Sequence, residues 1–214
     1  MKKQKPIKRY FANKYESPYG VVDTQTSPRS TIIPIIEFLK TKQDGSFLEI
    51  GVLGGSTLLG IYNTCKKQNI KVYGVDPWEN VPNLNGFSKD QVGEAWWDES
   101  NQRRKKLREH LQNIISTHSL DIKLFHNVSE AIVNNFNNES IDCIHVDGSH
   151  SYEGVSNDMK LFWPKLKPSG LMLMDDYQHD WPEVVQAVDE FIEGNNNEIS
   201  SHERHLNKMK IYKR

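Results

Sequence analysis

The sequence predicts an α/β domain built on a doubly wound, mostly parallel sheet with helices on both faces. Two observations carry this. Short apolar runs alternate with helical-period segments from about residue 46 to residue 193. The connections between successive runs are long enough to hold a crossover helix, which parallel strands require.

The elements follow in order. Residues 1–30 are polar and turn-rich, with Ser17-Pro18-Tyr19-Gly20 and Ser27-Pro28, and read as an N-terminal arm or partial lid. The main domain then runs over 31–214, opening with a core-facing helix at Ile32 to Leu39. Strands are expected at 46–50, 71–75, 121–125, 141–146 and 171–174. Helices are expected at 57–66, 130–136, 152–166 and 182–193. The tail around Lys208-Met209-Lys210-Ile211-Tyr212 supplies one or two closing strands. The stretch from 77 to 118 lacks strand character and is long for an α/β connection. It holds Trp78, Trp96, Trp97, Gly86 and a charged helix at Gln102 to Gln112, and reads as a helical insertion. Substrate lid and surface packing explain it equally well.

Composition narrows the class. The 214 residues carry 27 basic and 28 acidic side chains, a formal net charge of -1. That balance gives no sign of a nucleic-acid partner, and the basic run from Lys2 to Arg9 reads as a solvated arm. No apolar stretch reaches the ~20 residues of a membrane helix, and no apolar region follows the basic start as in a secretory signal. Cys65 and Cys143 stand alone in apolar contexts. They read as buried free thiols, and the chain as a cytoplasmic protein. A homo-oligomer is allowed by the sequence but not specified.

Ligands on such sheets bind outside the carboxyl ends of the strands. After the first strand comes Gly51-Val52-Leu53-Gly54-Gly55-Ser56-Thr57, a glycine turn at a helix start. Gly51, Gly54, Gly55 and Ser56 would let a ligand approach the backbone and meet unpaired N–H groups. The spacing is neither GxGxxG nor GxxxxGK[ST]. Glu49, just before the glycine, is unfriendly to a pyrophosphate and suits a cationic amine and a sulfonium. Asp76, 25 residues beyond Gly51, is placed to accept from ribose hydroxyls. Ser129, after the third strand, is a candidate for the rim that meets a base, or else a helix N-cap.

The fourth and fifth strands end on Val146-Asp147-Gly148-Ser149-His150 and Met174-Asp175-Asp176-Tyr177. As neighbours, these ends would lie only ~5 Å apart, crowding Asp147, Asp175 and Asp176. Such crowding is costly without a compensating cation, and a hard divalent ion resolves it, Mg²⁺ first. His150 is a candidate general base. His145 reads as a satisfied core residue, and His179 as equally pocket-lining or not.

From Ser46 to Tyr177 the order of motifs resembles the class I S-adenosylmethionine-dependent methyltransferases. Val146 to Val155, with Asp158 and Trp163 to Gly170, is similar to macrocin-type sugar O-methyltransferases and proteins labelled cephalosporin-hydroxylase-like. The resemblance implies a Rossmann-like, seven-stranded sheet and methyl transfer from S-adenosylmethionine to a hydroxyl, often of a sugar. It implies Mg²⁺ on Asp147, Asp175 and Asp176, and His150 as base. Catechol-type relatives carry Lys where this chain has His150 and Asn where it has Asp176, which points away from catechols. The expected cofactor contacts are Glu49, Gly51, Gly54, Gly55, Ser56, Asp76, Ser129 and Asp147, and the acceptor is a small molecule. Two rival readings remain. One is an NAD(P)-linked oxidoreductase, which the absent GxGxxG disfavours; the other is a non-catalytic S-adenosylmethionine-binding relative.

Overall fold

The computed structural model describes residues 13–24, 28–79, 81, 83–84, 87–88, 90 and 93–214. The basic run at 2–9, Gly86 and the Trp96 side chain lie outside the described residues. Strands β1 (Asn13–Ser17) and β2 (Gly20–Thr24) precede helix α1 (Pro28–Leu39). Then come β3 (Ser46–Ile50), α2 (Ser56–Thr64), β4 (Lys71–Asp76), the two-residue strands β5 (Asn83–Leu84) and β6 (Phe87–Ser88), and α3 (Glu94–Thr117). The remainder is β7 (Ile122–His126), α4 (Ser129–Ile132), β8 (Ile141–Val146), α5 (Tyr152–Phe162), β9 (Leu166–Met174), α6 (Pro182–Gly194), β10 (Ile199–His205) and β11 (Lys208–Lys213).

The central sheet has seven strands in the order β10-β11-β9-β8-β3-β4-β7. The five strands from β9 to β7 pair in parallel. β11 joins β9 antiparallel and β10 closes the edge as a hairpin. This is the doubly wound, Rossmann-like sheet that the alternating pattern predicts.

Period-two alternation sorts the sheet's side chains between two cores. Phe47, Cys143, Leu171 and Leu173 pack with α1, α2 and α3. Leu48, Ile144, Val146, Met172 and Met174 pack with α5 and α6. Helix α6 buries Val184, Ala187, Val188 and Phe191, an i, i+3, i+4, i+7 stripe. Burying each large apolar side chain contributes roughly 1.5–3 kcal/mol. On α5 the buried stripe of Val155, Met159 and Phe162 also holds Asp158, a carboxyl where the pattern calls for an apolar group.

Some boundaries differ from expectation. The arm is not featureless, because residues 13–24 form a hairpin. His110 of α3 lies 2.9 Å from the Val21 carbonyl and ties that hairpin to the insertion. The helix of the insertion spans 24 residues rather than the expected central part. β9 begins at Leu166 instead of Leu171, with a register shift in its pairing to β8. Cys65 and Cys143 are free and buried as expected. Among the described residues no helix is long and apolar enough to cross a membrane.

One glycine is fixed twice over. Gly51 has φ +89°, and a Cβ there would overlap the Asp147 carbonyl. Its N–H donates to Val75 at 2.9 Å and Asp147 N–H donates to Ile50 at 2.8 Å, which locks the β3 and β8 ends together. Gly51→Ala is therefore expected to cost about 2–4 kcal/mol by urea unfolding, from positive φ plus overlap. Gly194→Ala, where an added Cβ meets nothing within 4 Å, should be neutral or stabilising.

Candidate active site

The strand ends β3, β4 and β8 open onto one cavity of about 620 Å³. Its walls include Glu49, Gly51, Gly54, Ser56, Asp76, Ser129, Asp147 and His150. Gly55, Asp175 and Asp176 stand outside the walls. Gly55 sits at φ 80° as N-cap of α2, where it makes room for Leu111 of α3.

Asp76 buttresses the glycine turn. Its Oδ2 accepts from Val52 N–H at 2.9 Å and Leu53 N–H at 2.8 Å, and its Oδ1 from Trp78 N–H at 2.6 Å. About one of a carboxylate's roughly four acceptor positions remains for a ligand. Trp78 is wholly buried, and its indole N–H donates to the Leu53 carbonyl at 2.8 Å. It braces the turn and is not available to stack on a substrate; Trp97 is also buried. Arg104 of α3 lines the cavity, and burial lowers its pKa against the opposing charge of Asp76.

Ser129 is the first residue of α4, whose N-cap is Val128, so the expected cap role is not its own. Its hydroxyl instead donates to Asp158 Oδ1 at 2.5 Å. Burial pushes the Asp158 carboxyl up to about 7, against the lowering effect of that hydrogen bond. Asp158 also lines the cavity. Its place on the buried stripe of α5 was a signal available in the sequence.

Behind the cavity runs a buried ionic chain. Glu49 Oε1 lies 3.1 Å from His145 Nδ1, and His145 Nε2 lies 3.2 Å from Asp175 Oδ2. Lys208 Nζ donates to Asp175 Oδ1 at 2.6 Å. His145 is thus a fully paired core residue, as its strand position suggested. Burial opposes its charge, but the bonds to Asp175 and Glu49 win and push it up to about 10. Burial likewise works against the Asp175 carboxylate, and His145 and Lys208 hold its pKa below the usual range. Glu49 is raised by burial, only partly offset by His145. Its Oε2 is buried without a partner, beside the cavity.

At the mouth, His150 Nε2 lies 3.0 Å from Asp176 Oδ2. The imidazole packs on Trp181, ring centroids 4.1 Å apart. Asp147 is raised well above the usual carboxylate range by burial and then by the charge of Asp175. Two sets place possible ligand atoms within 4.8 Å of one another: Asp147 with His150 and Asp176, and His145 with Asp147 and Asp175. His179, open to solvent and paired with Asp180 at 2.8 Å, takes no part. Trp181 and Lys208 were not singled out from sequence, and Asp158 entered only as part of the macrocin-type pattern, with no role; for Lys208, a lysine at the start of a tail strand, nothing in the sequence marks burial.

A doubly wound parallel sheet with a glycine turn after one central strand and an acid after the next is the arrangement of nucleotide-binding Rossmann-like folds. Comparison agrees. The model of a methyltransferase domain family matches residues 48–177, and the chain belongs to that family. The O-methyltransferase NovP superposes with a TM-score of 0.65 at 15% identity, over 89% of this chain and 84% of that one. An O-methyltransferase from Bacillus cereus in complex with SAH gives 0.57 at 12% identity, over 88% and 82%. The mycinamycin-pathway methyltransferase MycE, in complex with Mg, SAH and mycinamycin VI, gives 0.53 at 16%, over 89% of this chain and 50% of its own. In sequence, a protein of Acanthamoeba polyphaga mimivirus described as uncharacterized is 28% identical over 155 residues, 71% of this chain. This chain spans 61% of that relative's length.

The His145 shift has a consequence for stability. A histidine whose pKa rises from its usual value near 6.5 to about 10 on folding stabilises fully below 6.5. That contribution is lost as pH rises through 10. The stability gap between wild type and His145→Gln, from urea unfolding, is expected to shrink steadily from pH 6.5 to 10. A gap that widens over this window contradicts the buried imidazolium.

Proposed function

We propose that the protein transfers the methyl group of S-adenosylmethionine to a hydroxyl of a small molecule, a sugar or glycosylated metabolite first. The observation that carries this is one cavity lined both by Glu49, whose Oε2 has no hydrogen-bond partner among the described residues, and by His150, which Asp176 holds from outside the walls. A buried lone oxygen acceptor fits the ammonium of the methionine end. The N–H groups at the start of α2 fit its carboxylate, and the remaining acceptor position of Asp76 fits a ribose hydroxyl. Ser129 and Asp158 then stand at the end left for the adenine.

His150 supplies the base. In the tautomer that donates Nε2–H to Asp176, the lone pair sits on Nδ1, which is buried and has no other partner. The acceptor hydroxyl gives its proton to the imidazole as its oxygen forms the new bond to the methyl carbon. The C–S bond breaks and S-adenosylhomocysteine leaves. Trp181 and Asp176 fix the ring, so that alignment supplies much of the rate; positioning two reactants is worth up to ~7–11 kcal/mol.

The donor chemistry at the mouth fits a hard divalent ion such as Mg²⁺, which Asp147 and Asp176 would hold. Bound there, it would supply positive charge beside the acceptor oxygens. The macrocin-type resemblance and the complex of MycE with Mg support this reading and the sugar class.

Turnover to S-adenosylhomocysteine, measured with and without EDTA across sugars and phenols, tests it. A hydroxylated acceptor is expected to drive turnover that EDTA suppresses. His150→Gln should lower kcat by about 10²–10⁴ while leaving S-adenosylhomocysteine affinity unchanged. Binding without turnover on any acceptor would reduce the protein to a cofactor-binding relative.

A further inference from the structure

We propose that Lys208 is the resident cation of Asp175 and takes that carboxylate out of the metal set, leaving Asp147 and Asp176 to hold the ion. The inference rests on the reading above that this mouth takes a divalent cation. It departs from the set of three acids that the macrocin-type resemblance implies.

An ionised carboxylate offers roughly four acceptor positions, and in Asp175 four donors fill them. Oδ1 accepts from Lys208 Nζ at 2.6 Å and from the Asp176 N–H at 2.7 Å. Oδ2 accepts from His145 Nε2 at 3.2 Å and from the Thr31 hydroxyl at 3.4 Å. To ligate a metal, Asp175 would have to give up one of these four donors, and its shortest bond holds an ammonium that is 0% exposed and whose other acceptor among the described residues is Asn207 Oδ1 at 3.1 Å. A buried ammonium left without its counter-charge is strongly disfavoured. The arrangement is also built into the sheet. β11 pairs with β9 through Met209 opposite Met174, and this brings Lys208 level with Asp175.

The other two acids are differently placed. Asp147 accepts no hydrogen bond on its carboxylate among the described residues, and it lines the cavity. Asp176 has φ +53°, a left-handed backbone, and only its N–H, not its carboxylate, bonds to Asp175. Its Oδ2 meets His150, and its Oδ1 has only Gln178 Nε2 at 3.5 Å. Asp147 and Asp176, with His150, bring ligand atoms within 4.8 Å of one another; the set that joins Asp175 to Asp147 counts His145, whose two nitrogens are already taken by Glu49 and Asp175. The sheet thus neutralises one of its three crowded acids from within, and the ion has two left to bridge. Magnesium-type sites of one or two carboxylates, completed by water and substrate oxygens, are of this kind.

Mn²⁺ binding to the full chain, followed by electron paramagnetic resonance of the free ion, tests the assignment without reference to turnover. Wild type is expected to bind one Mn²⁺. Asp147→Asn and Asp176→Asn should each weaken it by about tenfold or more. Asp175→Asn combined with Lys208→Met, which removes both charges together, should stay within about threefold of wild type. The proposal is overturned if that double variant, folded by circular dichroism and still binding S-adenosylhomocysteine, loses Mn²⁺ as Asp176→Asn does. It is equally overturned if wild type binds no Mn²⁺; intact S-adenosylhomocysteine binding would then show that the cofactor reading survives. Should the double variant not fold, the anomalous Mn²⁺ signal in wild-type crystals decides. An ion on Asp147 and Asp176 with the Lys208–Asp175 pair intact supports the assignment, and an ion on a carboxylate oxygen of Asp175 refutes it.

Discussion

An alternation of acid and base, Glu49–His145–Asp175–Lys208, runs across four adjacent strands, and the rest of the site is arranged around it. Each member sits on a different strand or strand end: β3, β8, the residue after β9, and β11. Glu49 pairs opposite His145 in the β3–β8 register, so the link is set by backbone pairing before any side chain is placed. Buried ions are tolerated only when paired and hydrogen-bonded, and here every charged member has a neighbour of opposite sign. The chain therefore fixes the lateral order of the strands at the cavity floor. Misplacing any of them by one residue would leave a charge buried alone.

The same chain divides the acids into two kinds. Glu49 and Asp175 spend their charge inside the sheet, except for the one Glu49 oxygen left at the cavity. Asp147 and Asp176 stand in front of it, and their charge is what a ligand meets. Asp147 feels the difference directly, since burial and the Asp175 charge behind it both push its proton affinity up. A positive charge placed at this mouth would relieve that repulsion. Asp76 works otherwise: its carboxylate holds the glycine turn through three backbone amides, and recognition there is done chiefly by the loop it shapes.

How much of this was legible in the sequence depends on the range of the interaction. β3, β4 and β8 were readable because they are short, mostly apolar runs broken only by single polar residues and separated by helical segments, as in buried parallel strands. Asp147, His150 and Asp176 were readable because strand ends in this topology face the ligand. The hairpin at 13–24 was not, since its polar strands pair only with each other and pack on helices. Trp78 lies in an insertion that a lid and ordinary packing explain equally well from sequence; only the fold shows that its N–H is committed to the Leu53 carbonyl. The partner of Asp175 was not readable, because Lys208 lies 33 residues further on and is brought to it only by the pairing of β11 with β9.

That last case follows from how the domain closes. A parallel sheet alone would end at β9, with Asp175 at an open edge facing water. The antiparallel β11 covers that edge, and covering it removes the solvent that would have screened the carboxylate. The strand that creates the desolvation also carries the lysine that answers it. Lys208 and Asp175 are therefore one structural unit, set by the pairing of β11 with β9 rather than by the ligand that the mouth receives.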